Sequence, residues 1–254
     1  MTDDSAAFGR AADRSAPTTG SIALTVAPLS PLDLAALLCS RVCHDAISPV
    51  GAIVNGLEML EAEQDEETRS VAMDLIKKSA ISASARLQFC RLAFGASGSL
   101  GAAIDTSDAE NVARGLLSND RTTLLWNAER RLAPKNSIKL LLNLCLIAAA
   151  SVPRGGVIVV DLTGEGDALA MRVEARGANA RLSHGAGDIL SGAAGFEAID
   201  AHSIQPYFTA LLARECRMNL QSSTAPQSVT LAAVPETVGD VASRTVALAN
   251  ESGR

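Results

Sequence analysis

The run His44-Asp45-Ala46-Ile47-Ser48-Pro49-Val50 places an imidazole, a carboxylate and a hydroxyl within about one helical turn of each other. Imidazole is a side chain that offers a neutral nucleophile near pH 7, and a carboxylate beside it can orient the ring or accept its proton. On a helical wheel of ~100° per residue, Leu38, Val42, Ala46, Val50, Ile53, Leu57 and Leu60 fall within an arc of about 120°, a core-facing stripe. His44 lies roughly opposite that stripe, where a partner can reach it. The helix pattern alone also allows an ordinary solvated surface histidine.

The elements that must carry this run are helical. Ser30-Pro31-Leu32-Asp33 reads as a helix start, with Ser30 as N-cap, Pro31 at the first helical position and Asp33 complementing the positive end. The helix continues to about Glu63, and Pro49 within it removes a backbone donor and predicts a local bend. An acidic turn, Glu61 to Glu67, leads to a second helix from about Glu67 to Phe94, with Met73, Ile76, Ala80, Ala83, Leu87, Cys90 and Phe94 on one face. Two long helices joined by a short turn make an antiparallel hairpin. So narrow a unit cannot bury both apolar faces alone, and pairing with a second copy into a four-helix bundle is the economical solution. The alternative is that both faces pack on the rest of the same chain.

Composition narrows the possible functions. The 254 residues carry a net charge of −6, so no basic field exists to attract nucleic acid or an anionic membrane. Aromatic residues make up only 3%, which favours aliphatic contact surfaces. The five cysteines are odd in number and mostly embedded in apolar helical stretches, which predicts buried thiols in a reducing, cytoplasmic setting. Cys39, Cys43 and His44 project in different directions from one helix and no second ligand pair follows, so no metal is expected. The longest apolar run, Leu140 to Val152, is too short for a bilayer and contains Asn143, and no signal-peptide pattern opens the chain.

Residues 1–30 and 235–254 read as disordered tails, rich in small and polar residues. Glycines and serines from Gly95 to Gly101 mark a break between the hairpin, 31–95, and a second domain, 102–234. The latter reads as helix 107–117, strand 122–126, helix 134–150, a strand pair at 157–162 and 168–175, helix 204–217, and strands 219–222 and 228–234. That is an α+β domain with an antiparallel sheet.

At this point the residues resemble a known group. His44 to Val50 is similar to the H-box of sensor histidine kinases: histidine, an acidic residue, two variable positions, Thr/Asn/Ser, proline and an aliphatic residue. The resemblance extends into the second domain, where kinases carry Asn-Leu-Leu-x-Asn followed by Thr-Pro-x-Gly-Gly. Here Asn143-Leu144-Cys145-Leu146-Ile147 and Val152-Pro153-Arg154-Gly155-Gly156 keep the register without a gap. Ile147, however, replaces the asparagine that holds the magnesium of ATP, and an apolar side chain cannot ligate that hard cation. The adenine-binding Asp-x-Gly-x-Gly has become Ala175-Arg176-Gly177-Ala178-Asn179, with only Gly177 retained; aligning Asp188 instead does not restore the glycines. The glycine-rich lid reads His202-Ser203-Ile204-Gln205-Pro206-Tyr207.

A histidine hairpin joined to an ATPase-like domain without its ATP residues resembles the ChpT family of bacterial histidine phosphotransferases. The resemblance implies a homodimer that relays phosphoryl groups from the receiver domain of a hybrid histidine kinase to response-regulator receiver domains in cell-cycle signalling. His44 would accept the phosphoryl group. Asp45 would orient the ring or take its proton, or else only solvate the helix. Arg41 would attract the anionic receiver pocket or steady phosphoryl charge, or likewise solvate the helix. Ser48 would contact the phosphoryl group or satisfy a carbonyl near Pro49. Exposed Leu37 and Ile47 would contribute to receiver docking. No ATP is expected, and Mg²⁺ is expected from the receiver. His184 and His202 are expected to be structural. The competing readings are a kinase with an atypical ATP site and a non-catalytic dimeric scaffold, with a phosphatase the weaker third.

Overall fold

The computed structural model describes residues 29–62, 65–95, 103–191, 199–200 and 203–237. Most of both expected tails, residues 96–101 of the glycine-rich break and His202 lie outside the described residues.

Helix α1 spans Pro31–Ala62 and α2 spans Glu66–Ala93. The Ser30 cap forms as its sequence implies: the Asp33 N–H donates to Ser30 Oγ at 3.1 Å, and the Ser30 hydroxyl donates to Asp33 Oδ2 at 2.6 Å. Asp65 caps α2 in the same way, accepting from the backbone and hydroxyl of Thr68, each at 2.9 Å. Helix α1 runs through Pro49, which is buried. Small residues let the helices approach closely: Gly56, Ala72, Ser79 and Ala83 are all buried, and a Cβ on Gly56 would stand 2.6 Å from Ile76 Cγ1.

The stripe of α1 does not act as one core face. Its Val50 and Leu57 stay 46% and 48% exposed, and on α2 Met73 and Leu87 stay 41% and 50% exposed. One face of each helix is used within the hairpin, while an adjoining apolar seam meets no partner among the described residues. The expectation about membrane-length helices also needs correcting. Among the described residues the helix with the length and composition of a bilayer span is α1, not the Leu140–Val152 segment. Its apolar surface is divided between α2 and the open seam, however, and it carries Arg41, Asp45 and Glu58. Each such charge at the middle of a spanning helix costs ~2.5–3.5 kcal/mol.

The second domain places α3 (Thr106–Leu117), α4 (Lys135–Ala150), α5 (Ala186–Ser191) and α6 (Ile204–Glu215) with a five-stranded sheet. The strands are β2 (Thr122–Trp126), β4 (Gly156–Thr163), β5 (Ala170–Arg176), β6 (Met218–Ala225) and β7 (Ser228–Pro235), ordered β2-β4-β5-β7-β6. The sheet is mixed rather than antiparallel, because β2 pairs in parallel with β4. The connection explains this: α4 lies between these strands in sequence, and a helical crossover returns the chain in the same direction. The sequence pattern also missed α5 and the short pair β1 (Ala103–Asp105) and β3 (Leu132–Pro134), which are too brief to show a period.

Helix α4 is the centre of the core. Ile138, Leu140, Leu141, Leu142, Leu144 and Cys145 are fully buried, as expected of a helix apolar on nearly every side. Val173 and Ala175 of β5 are buried in the same core, while Arg172, Glu174 and Arg176 alternate with them and form an ionic ladder. The hairpin is fastened to this domain at its C-terminal end. Phe89 and Ala93 are fully buried in the common core, and Phe94 packs against Phe208 of α6 with ring centroids 5.8 Å apart.

Candidate phosphotransfer site

His44 is placed where the wheel put it, with its side chain 82% exposed. Asp45, one position on, is turned inward and three-quarters enclosed. Its Oδ2 accepts from Arg41 Nε at 3.0 Å, and its Oδ1 lies 3.6 Å from His44 Nδ1. The second distance is too long for a hydrogen bond but sets the carboxylate beside the ring. Arg41 therefore does not stand free toward an incoming anion: its guanidinium is half-buried and holds Asp45 in place. The i,i+4 spacing on α1 brings this pair together.

Among the remaining predicted site residues, Ile47 is 69% exposed and Ser48 is exposed on the same helix. Leu37 is half-buried, less open than the exposed position expected of a docking residue. The thiols are also not uniformly buried. Cys39 and Cys43 are exposed, Cys90 and Cys216 are half-buried, and only Cys145 is enclosed, with burial pushing its thiol up to about 12. Among the described residues no group of three or more His, Cys, Asp or Glu side chains converges as a metal site would require. His184 is exposed.

The kinase-like boxes of the second domain have been put to structural use. Asn143 is fully buried; its amide donates to the Lys139 carbonyl at 2.7 Å and to the Ala93 carbonyl at 3.2 Å. Its Oδ1 accepts from the amide of Gln205, at the start of α6. One side chain thus ties α4 to the end of the hairpin and to α6. Ile147 and Ala175 are buried in the apolar core, and Asp188 is exposed on α5. The glycine pair serves a tight passage into β4. Gly155 has φ +87°, a Cβ there would lie 2.2 Å from the Arg121 carbonyl oxygen, and Gly156 donates to that oxygen at 2.9 Å.

Sequence reasoning missed Arg86 and Cys90 as neighbours of the site. They face Arg41 and Asp45 from α2, across the hairpin, and share a cleft with them. Only the pairing register of the two helices, which the sequence does not state, brings these four together.

Comparison with known proteins settles the family. The protein phosphotransferase ChpT of Brucella abortus (strain 2308) is 49% identical over 205 residues, spanning 81% of this chain and 97% of that protein. The chain belongs to the ChpT family of histidine phosphotransferases. Residues 106–228 match the family described as the histidine phosphotransferase C-terminal domain. A solved structure described as a bacterial phosphotransferase, at 1.7 Å, shares 47% identity with a TM-score of 0.76, covering 83% of this chain and all of that one. The chain is accordingly a protein phosphotransferase, built as a helical region followed by an α+β domain. The second domain that carries the family match is the one whose kinase-type asparagine has become an internal strut.

Proposed function

We propose that the chain relays phosphoryl groups through His44, taking them from the receiver aspartate of a hybrid histidine kinase and passing them to response-regulator receivers in cell-cycle signalling. The observation that carries this reading is the exposed His44 in its H-box register, with Asp45 held beside it by Arg41. An unprotonated imidazole nitrogen attacks the phosphorus of the aspartyl phosphate; the N–P bond forms, the O–P bond breaks, and the aspartate leaves as carboxylate. Asp45 steadies the positive charge that develops on the ring. The receiver contributes the Mg²⁺ that neutralises the transferring oxygens. Transfer onward reverses these steps. Ser48 and Ile47 border the approach to the ring, and Arg41 acts through Asp45.

In this reading the α+β domain takes no ATP. The support is that Asn143 spends its amide on protein groups, and that buried Ile147 and Ala175 offer neither a ligand for a hard cation nor an acceptor for an amine. The working unit is a homodimer, in which the seam of Val50, Leu57, Met73 and Leu87 meets its copy in a four-helix bundle, and it works in the cytoplasm. The test is incubation with a phosphorylated receiver and Mg²⁺, in parallel with labelled ATP and Mg²⁺. Label should reach His44 only from the receiver, and His44→Ala should carry none. Robust labelling of His44 from ATP alone would make the protein a kinase; equal delivery to the acceptor by His44→Ala would make it a scaffold.

A further inference from the structure

On the inner side of Asp45 a cleft of about 300 Å³ opens between the hairpin and the α+β domain. Arg41 and Asp45 of α1, Arg86 and Cys90 of α2, and Arg121 beside the start of β2 line its polar part. Phe89, Phe94, Leu117, Leu146 and Val152 line the rest. Three arginines and a single aspartate line the cleft, and that carboxylate is taken by Arg41. Arg86 Nε is enclosed without a hydrogen-bond partner, and among the described residues neither Arg86 nor Arg121 is in an ion pair. A charged donor withdrawn from water with no acceptor is costly to hold, and an anion beside it removes that cost. The remaining acidic candidate, Cys90, keeps its proton: burial first and then Asp45 push its thiol up, so it does not compensate the arginines.

We infer that this cleft is a binding site for a small organic phosphate monoester, its anionic head taken by Arg86 and Arg121 and its flat apolar body by the aromatic and aliphatic wall. The volume lies at the low end of cavities that hold small ligands and is too small for a protein segment with side chains. The mixed lining, guanidinium on one part and Phe89 with Leu117 on another, matches a ligand with two such ends better than a bare inorganic ion. Binding itself stands independently of the His44 reading. Its consequence rests on that reading: Arg41 both lines the cleft and anchors Asp45, so an occupant draws on the same guanidinium and slows transfer to His44.

The probe is phenyl phosphate, titrated into the full chain by calorimetry, with inorganic phosphate as the comparison. Phenyl phosphate should bind saturably and about tenfold or more tighter than inorganic phosphate, and Arg86→Gln should weaken it about tenfold. Arg121→Gln, at an exposed position, should weaken it in the same direction and covers the case in which Arg86→Gln fails to fold. His44→Ala should bind as well as the unsubstituted chain, which separates this site from the phosphoacceptor. Absence of saturable binding, equal binding of the two probes, or indifference to both arginine substitutions overturns the site. Unchanged receiver-to-His44 transfer at saturating phenyl phosphate overturns the coupling.

Discussion

In the α+β domain, α4 buries seven apolar side chains completely, and its internal amide, Asn143, is hydrogen-bonded at both ends. In the hairpin, the helix that carries His44 leaves Val50 and Leu57 nearly half exposed, and its partner helix does the same with Met73 and Leu87. Among the described residues, one region covers its apolar surface and the other does not. The difference bears on where each region's work is done: a saturated domain can support but not easily change, whereas an open helix face with an exposed histidine is, in the proposed relay, where another protein is met.

Breaking the seam tests this contrast most severely. Val50→Asp together with Leu57→Asp places two carboxylates where an apolar surface would be covered, and should weaken self-association at least about 10³-fold, a cost of ~4 kcal/mol. Sedimentation velocity reads the change directly, and the thermal midpoint of the α+β domain should stay near that of the parent. A protein that sediments as a monomer before substitution would show that the seam is not a dimer interface.

Within the open region, Asp45→Asn keeps the shape beside His44 but removes the charge. It should slow receiver-to-His44 transfer about 10²-fold and alter its pH profile, since in the proposed relay the lost group acts on the ring's proton and charge. Arg41→Gln should produce a smaller effect in the same direction, because Arg41 touches Asp45 and not the ring. Equal rates across the pH range for Asp45→Asn and the parent would reduce Asp45 to a helix-surface residue.

The closed region should answer to a different substitution. Asn143→Ala leaves the Ala93 carbonyl and the Gln205 amide without their partner inside the core, at a cost of about 1–3 kcal/mol. Urea unfolding measures that loss, and a change below about 0.5 kcal/mol would show that the strut is dispensable.

These two regions were also unequally legible in the sequence. The hairpin could be read almost whole: Ser30 and Asp33 announced the start of α1, and the wheel placed His44 outward. What the wheel could not say is that the apolar stripe divides between α2 and open surface, since periodicity reports hydrophobic positions and not the number of partners available. Arg41 was recognised as near His44, but its bond to Asp45 is a choice of rotamer. In the α+β domain most helices and strands showed their period, yet the parallel pairing of β2 with β4 depends on the crossover. The role of Asn143 depends on Ala93 and Gln205, which lie 50 and 62 positions away. Local pattern gives elements, and only tertiary register gives partners.

Acid titration gives the smallest and most discriminating comparison. Glu174 is held down to about 2, first by its hydrogen bond from Arg176 and then by Arg172; Asp105, which caps α3, is held down to about 2 by the Ser107 N–H and by Arg130. A carboxylate whose folded pKa lies below its unfolded value, ordinarily about 4, stabilises the fold fully above that unfolded value and loses the contribution as pH falls toward about 2. Both groups belong to the α+β domain. Its stability should therefore hold near neutrality and decline between about pH 4.5 and 2. Glu174→Gln should flatten that decline while costing no more than about 1 kcal/mol at pH 7, because solvent screens much of an ion ladder at a sheet surface. In the hairpin the Asp65 cap of α2 is also held down, first by the Thr68 N–H, so acid should loosen the start of α2 as well. Far-ultraviolet dichroism followed against pH, on the parent and on Glu174→Gln, tests the assignment: an identical slope in both would remove Glu174 from the acid transition and leave Asp105 to account for it.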